Sequence, residues 1–126
     1  MRALIQRVSS ASVTAQGQEA QSISNGYVIL LGIGPKDTEQ TAEKLWNKIR
    51  KLRIFDDSEG KTNLSLQDVD GSVLLVSQFT LYADCHKGNR PSFTKGAKPD
   101  QAEKLYTYFG SLITQDEIAL KTGWFG

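Results

Sequence analysis

The sequence is poor in the residues that build disulfide scaffolds and metal centres, with one cysteine and one histidine in 126 residues. The single Cys85 cannot form a disulfide within the chain. Because neighbouring residues point to opposite sides of a strand, Cys85 and the adjacent His86 do not form a catalytic pair. No Cys/His cluster or Asp-rich loop has the spacing of a zinc or calcium site. We therefore expect neither a metal nor a cofactor.

Long apolar runs and a large charge imbalance are also absent. The longest apolar run, Tyr27–Ile33, is far short of the roughly 20 residues that cross a bilayer, and the N-terminus lacks a signal-peptide core. Fifteen Lys and Arg residues against fourteen Asp and Glu residues give a net charge of +1, unlike the strongly basic domains that coat nucleic acid. These features predict a soluble, cytoplasmic protein with no membrane partner.

Length and composition predict one globular domain. The chain is 39% hydrophobic and 23% charged, with three prolines, and a chain of this size buries about two thirds of its unfolded surface. The apolar patterns and turn signals predict strands and two main helices, hence an α+β domain with mostly antiparallel strands. The predicted strands are Met1–Thr14, Glu19–Ile23, Tyr27–Ile33 and Val73–Tyr82.

The two helices have start signals of different kinds. Asp37, with Gln40 three residues later, resembles a capping box, and the helix that follows is expected to end near Arg53. Pro99 is expected in the first turn of the second helix, because proline fits the first helical position.

Two neighbouring stretches have the residue types for chemistry. Ser77 to Thr80 end a buried strand with hydroxyl, amide and backbone N–H groups that can hold an acyl or ribose oxygen, or simply pair with neighbouring backbone. Alternation would put Ser77 and Phe79 on one face of that strand, and Gln78 and Thr80 on the other. The loop that follows is suited to phosphate contact, or is a solvated basic loop, because it carries Lys87, Arg90, Lys95 and Lys98.

An ordered set of segments covers nearly the whole chain: Ala3–Val8, Arg53-Ile54-Phe55, Gly60–Leu64, Ser77-Gln78-Phe79-Thr80-Leu81, Arg90-Pro91-Ser92-Phe93, Lys95-Gly96-Ala97, Thr122-Gly123 and Phe125. This set resembles the D-aminoacyl-tRNA deacylase family. The resemblance implies a homodimer with a sheet curled into a barrel-like layer. It also implies hydrolysis of the ester that joins a D-amino acid, or glycine mischarged on tRNA(Ala), to the 3′ end of tRNA.

The resemblance assigns the catalytic pocket to Ser77, Gln78, Phe79 and Thr80, at the dimer interface. The Phe79 backbone N–H would be the oxyanion donor. Either Thr80 or the 2′-hydroxyl of the tRNA ribose would be the activating group. A threonine hydroxyl is a poor nucleophile without a base, and none lies nearby in the sequence, which favours the ribose hydroxyl.

The resemblance also implies residues that bind the substrate. Ala102 matches a small residue beside the terminal adenine, Phe125 a pocket-wall aromatic, and Arg7 a strand arginine that holds a second family motif. The residues expected to bind the acceptor end in the basic loop are Lys87, Arg90, Phe93 and Lys95.

That second motif, an Asn-x-Gly-Pro-Val-Thr segment, is expected beyond Phe125. In the family its Gly-Pro enters the neighbouring subunit's pocket and excludes L-amino acids, whereas Gly34-Pro35 precedes the first helix and is no substitute. We expect residues 1–126 to form a single deacylase domain without this strand. The alternatives are a non-catalytic protein that binds tRNA acceptor ends, and a small-molecule-binding α+β domain with no RNA partner.

Overall fold

The computed structural model describes residues 1–83, 86, 88–92 and 96–124. In chain order its elements are β1 (Arg2–Val8), β2 (Ala11–Val13), β3 (Gln21–Ile23), β4 (Gly26–Gly32), α1 (Glu39–Lys51), β5 (Phe55–Asp56), β6 (Thr62–Leu64), β7 (Ser72–Ser77), α2 (Pro99–Gln115) and β8 (Leu120–Thr122). A 3-10 turn, Phe79–Tyr82, follows β7. None of the helices in these ranges has both the length and the apolar character of a membrane span.

The central sheet has the strand order β1-β4-β7-β8. β1 is antiparallel to β4, whereas β4 and β7, and β7 and β8, are parallel. The α+β class with two helices is confirmed, but the central sheet is mixed rather than mostly antiparallel. Each parallel pair is joined through a helix, which returns the chain to the starting edge. The described strands form an open sheet and two hairpins, β2–β3 and β5–β6, and do not close into a barrel.

One face of the central sheet forms the core with α1 and α2. Alternate residues of β4 and β7 point to this face and are fully buried: Tyr27, Ile29, Leu31, Val73 and Leu75. Phe109 of α2 packs edge-on against Trp46 of α1, with ring centroids 6.0 Å apart. The opposite face is only partly covered, because Val28 and Leu30 of β4 are half-buried. The prediction of a buried strand at this run is confirmed, with one face less covered than expected.

The first predicted strand is divided in two. β1 ends at Val8, β2 begins at Ala11, and β2 pairs with β3 as the predicted returning strand. β4 starts at Gly26, where an added Cβ would collide with the Ser72 carbonyl of the neighbouring β7. Glycine is needed there because the two strands begin in close contact.

The N-cap of α1 lies one residue later than predicted. Thr38 is the N-cap, and its hydroxyl accepts the Thr41 N–H at 3.3 Å while the Thr41 hydroxyl accepts the Thr38 N–H at 3.1 Å. The Asp37 cap prediction was therefore wrong. The Asp37 carboxylate instead accepts the Gly34 N–H at 2.6 Å and the Met1 amine at 2.7 Å. The helix ends at Lys51, close to the expected end.

α2 begins at Pro99 as predicted. Its Tyr106 hydroxyl donates to the Leu75 carbonyl of β7 at 2.8 Å, and burial raises the pKa of Tyr106 to about 12. This bond fixes the helix directly over the middle of the sheet. The chain then turns into β8, whose Leu120 pairs with Val73 at the sheet edge.

Candidate functional site

The Ser77–Thr80 segment lies where β7 leaves the sheet. Ser77 pairs with Leu31 at the end of β4, and the Gln78 N–H donates to the Leu31 carbonyl at 2.8 Å. The predicted strand to Tyr82 was wrong, because a 3-10 turn replaces it from Phe79 onwards. β4 stops at Gly32, so β7 has no neighbour on that side with which to continue pairing.

This turn changes which groups face the same way. The predicted alternation, with Ser77 beside Phe79 and Gln78 beside Thr80, holds only inside a strand and does not apply here. Ser77, Gln78 and Thr80 are half-buried, whereas the Phe79 side chain is 63% exposed. The buried strand β7 therefore ends in a turn without buried residues, which carries hydroxyl and amide side chains beside the exposed Phe79.

The Thr80 hydroxyl has no activating partner in the described part of the chain. No residue described there makes a hydrogen bond with it, and the turn's own bonds come from the N–H groups of Leu81 and Ala83. A threonine nucleophile needs an adjacent base or a lowered pKa. The arrangement suits backbone binding of an oxygen better than attack by the threonine.

The start of α2 is tied to the same end of the sheet. The Ala97 N–H donates to the Ile33 carbonyl at 2.9 Å, just past β4. The Gln101 side-chain amide donates to the Pro35 and Asp37 carbonyls at 3.2 and 3.3 Å. Ala102, in the first turn of α2, is half-buried and packs against the core. The turn after β7 and the Ala102 position therefore both attach to the residues that end β4.

Arg7 lies at the other end of the sheet. Its guanidinium donates to the Ile54 carbonyl at 2.7 Å and to the Asp56 carboxylate at 3.3 Å. β1 pairs Ala3 with Leu31, the level of Ser77, so Arg7 lies four residues away along the strand, or about 13 Å. The structure therefore does not bring Arg7 to the Ser77–Thr80 segment of its own chain.

The basic loop is described only in part. Arg90 is exposed, and Gly88 has a φ of 88°, in the left-handed region that favours glycine. The other predicted residues of this loop and of the pocket wall, Lys87, Phe93, Lys95 and Phe125, lie outside the described residues. Among the residues that are described, no group of three or more His, Cys, Asp or Glu side chains is placed to hold a metal.

A second exposed feature lies beside the turn. Leu4 of β1 is 48% exposed, and it pairs with Leu30, which in turn pairs with Val76 of β7. These three side chains lie in one row on the sheet face away from the helices, and the exposed Phe79 follows Val76 by three residues in the chain. Within the described ranges, Leu4 and Phe79 are the exposed large hydrophobic side chains. We call Leu4, Leu30, Val76 and Phe79 the open apolar face.

Comparisons with known proteins converge on one description. The family model described as D-Tyr-tRNA(Tyr) deacylase matches residues 4–126. A protein of Thermosipho melanesiensis named D-aminoacyl-tRNA deacylase is 53% identical over 127 residues, covering 100% of this chain and 85% of the relative. A protein of the same name from Escherichia coli O1:K1 / APEC is 52% identical, covering 99% of this chain and 86% of its own length.

Two solved structures share the fold. The structure titled c-Myc DNA Unwinding Element Binding Protein has a TM-score of 0.91 and 39% identity, covering 100% of this chain and 86% of that one. A structure titled as a probable eukaryotic D-amino acid tRNA deacylase has a TM-score of 0.77 over 90% of this chain and 66% of that one. At 16% identity the second likeness shows the fold alone.

Proposed function

Because this chain belongs to the D-Tyr-tRNA(Tyr) deacylase family, we propose that it hydrolyses the ester between a D-amino acid and the terminal adenosine of tRNA. The observation that carries the proposal is the family match over residues 4–126. The arrangement at the end of β4 and β7 supports it, because the turn after β7 and the start of α2 are both bonded to residues at the end of β4. Glycine mischarged on tRNA(Ala) is a second substrate of the same chemistry.

The chemistry we propose uses backbone and substrate groups rather than a side-chain nucleophile. Water attacks the ester carbonyl, a carbon–oxygen bond forms to the water oxygen, and the bond to the ribose oxygen breaks. The water proton passes to the ribose oxygen, assisted by the tRNA 2′-hydroxyl. The Phe79 N–H donates to the oxyanion as it forms. The lack of a hydrogen bond from any described residue to the Thr80 hydroxyl supports this assignment over a threonine nucleophile.

We propose that the adenine of the tRNA end lies against Ala102. The small side chain leaves room that a larger residue would fill, and its helix is tied to the end of β4 through Gln101. The acceptor-end phosphates are assigned to Lys87, Arg90 and Lys95, and the aromatic contacts to Phe93 and Phe125. Arginine and lysine at phosphates, and aromatic rings on unstacked bases, are usual features of RNA end recognition.

We also propose that two copies of this chain pair through the open apolar face. Exposed contiguous apolar side chains beside a functional site are typical of an interaction surface. Leu4 and Phe79, at 48% and 63% exposure, would be covered in such a dimer. The pairing would put the Ser77–Thr80 segment of each copy at the interface.

Residues 1–126 are proposed to act as one deacylase domain, in the cytoplasm where charged tRNA is used. They contain no Asn-x-Gly-Pro-Val-Thr segment. Gly34-Pro35 lies between β4 and α1. The resemblance assigns exclusion of L-amino acids to that segment, so discrimination between D- and L-esters is a separate arm of the test.

The test follows ester loss from D-Tyr-tRNA, L-Tyr-tRNA and Gly-tRNA(Ala) with and without a chelator. We expect D-Tyr-tRNA to be hydrolysed well above its spontaneous rate, with no effect of the chelator. Salt-dependent tRNA binding without turnover would make the protein a non-catalytic acceptor-end binder. If the protein neither binds tRNA nor hydrolyses the ester, that result would contradict any role with tRNA.

A further inference from the structure

Two backbone hydrogen bonds close the Phe79–Tyr82 turn. They run from the Leu81 N–H to the Gln78 carbonyl at 3.3 Å and from the Ala83 N–H to the Thr80 carbonyl at 3.0 Å. It has no side-chain cap, and none of its four residues is buried. A segment with so little burial depends on contacts with other elements for its position.

Arg2 of β1 supplies such a contact. Its Nη1 donates to the Leu81 carbonyl at 2.7 Å, and its guanidinium carbon lies 4.4 Å from the centroid of the Tyr82 ring. A guanidinium at this distance from an aromatic ring is attracted to its π system. One side chain thus binds both the backbone and the last side chain of the turn. Arg2 is itself fixed in the sheet, opposite Gly32 of β4.

Tyr82 also packs closely against the end of β4. A Cβ added at Gly32 would lie 3.2 Å from Cδ2 of Tyr82, and one added at Gly34 would lie 2.9 Å from its hydroxyl. The Gly34 N–H is bound by the Asp37 carboxylate at 2.6 Å, which fixes the backbone under the ring. Burial, followed by the Asp37 charge, raises the pKa of Tyr82 and keeps the phenol neutral.

We propose that Arg2 is a positioning residue for deacylation, which holds the Phe79–Tyr82 turn in place through the Leu81 carbonyl and the Tyr82 ring. This inference rests on the proposed function for its catalytic consequence. An oxyanion donor lowers the barrier only when it is aimed at the oxygen of the transition state, so a shifted turn lowers kcat more than it raises KM. Arg2 touches neither substrate nor reacting atoms in this role.

The kinetic test compares Arg2→Ala, Arg2→Lys and Lys48→Ala on D-Tyr-tRNA, using the full chain with no N-terminal extension. Arg2→Ala is expected to lower kcat by about tenfold and to change KM by less than about twofold, because small displacements of catalytic groups cost this much or more. Arg2→Lys is expected to recover most of kcat, since it keeps the charge near the ring and one donor. The control Lys48→Ala removes an exposed charge from α1 and is expected to match wild type.

A second readout does not depend on turnover. Amide hydrogen exchange at Leu81 and Ala83 is expected to accelerate by about tenfold in Arg2→Ala, while the Ile29 amide in the core strand keeps its wild-type rate. If wild type fails to hydrolyse D-Tyr-tRNA, the proposed function fails, and the exchange rates still decide whether Arg2 holds the turn. Wild-type exchange at both turn amides would overturn the inference. Faster exchange at Ile29 as well would also overturn it, because Arg2 would then support the whole fold.

Discussion

Two regions of the same sheet are held by different forces. Under α1 and α2, five side chains of β4 and β7 are completely buried, and the helix faces that cover them are apolar. At the carboxyl ends of those strands, the Phe79–Tyr82 turn has no buried residue, and its contacts within the described residues include the Arg2 hydrogen bond to the Leu81 carbonyl and the Arg2 contact with the Tyr82 ring. The first region supplies the free energy of folding. The second can be altered with little loss of stability, because little apolar area is buried there.

This difference between the core and the strand ends explains which part of the chain is available to bind substrate. Backbone groups of β4 and β7 are used by the ladder, whereas none of the residues of the turn is buried. The ends of β4 and β7 point the same way because the strands are parallel, and the start of α2 is bonded to the residues just past β4. We expect mutations in the core to change the free energy of unfolding and mutations at the strand ends to change kcat or KM.

The largest expected effect is on stability, from Phe109→Ala. Phe109 is fully buried beside Trp46, and truncation of a core phenylalanine costs about 3–5 kcal/mol of unfolding free energy. Urea unfolding followed by tryptophan fluorescence measures it. The exposed neighbour Thr107→Ala on the same helix is the control and should cost well under 1 kcal/mol, or about the size of an ordinary surface change. If Phe109→Ala lowered the unfolding free energy no more than the control does, the packing of the helices on the sheet would not be the main source of stability.

Ala102→Phe is expected to have the largest effect on activity. The phenyl ring would occupy the adenine position. The ester would then be displaced from the catalytic groups, and kcat/KM on D-Tyr-tRNA should fall by more than about 100-fold. The fold should stay intact, with a lower unfolding midpoint because Ala102 packs against the core; far-UV circular dichroism checks this. Glu103→Phe adds the same ring at the adjacent exposed position and should retain activity. Equal turnover by both variants would place the adenine elsewhere.

Leu4→Glu tests the open apolar face. Burying an unpaired carboxylate in a dimer is unfavourable, so the dissociation constant should rise by more than about tenfold, or 1.4 kcal/mol. Sedimentation velocity at several concentrations measures it, with Thr107→Glu on the helical side as the control. An unchanged oligomeric state in Leu4→Glu would remove this face as the interface.

Thr80→Ala is expected to have the smallest effect among these changes. If the turn acts through its backbone, kcat should fall by less than about tenfold, and Thr80→Val should behave in the same way. Removal of the essential nucleophile of a serine protease lowers kcat by about a million-fold. Single-turnover hydrolysis of D-Tyr-tRNA distinguishes the two, and a loss of that size would make Thr80 the attacking group.

The elements best predicted from the sequence were those whose signal is local. The run at 27–33 and the start of α2 at Pro99 needed only apolar pattern and proline geometry. The Asp37 cap failed because two neighbouring residues both suit an N-cap, and Asp37 is used by Gly34 and the Met1 amine. The sheet was expected to be mostly antiparallel because strand direction leaves no mark in periodicity.

The site was predicted by motif more than by geometry. The sequence pattern identifies the hydroxyl and amide groups of Ser77–Thr80, because they follow an apolar run. The predicted strand continued too far, to Tyr82, because alternation cannot show where the partner strand stops. The end of β4 at Gly32 decides that. Arg2 was missed, since an arginine near the start of a strand is usually solvated. Its contacts with Leu81 and Tyr82 arise only once β1 is paired with β4.

The central claim is that the ends of β4 and β7 hold the aminoacylated adenosine. The most direct measurement is an amide NMR titration of the chain with an amide-linked D-tyrosyl analogue of the terminal adenosine, which resists hydrolysis. Our account predicts saturable shifts at Ser77, Gln78, Phe79, Thr80 and Ala102, with the buried β4 amides unchanged. Saturable binding that leaves these five residues unshifted would contradict it.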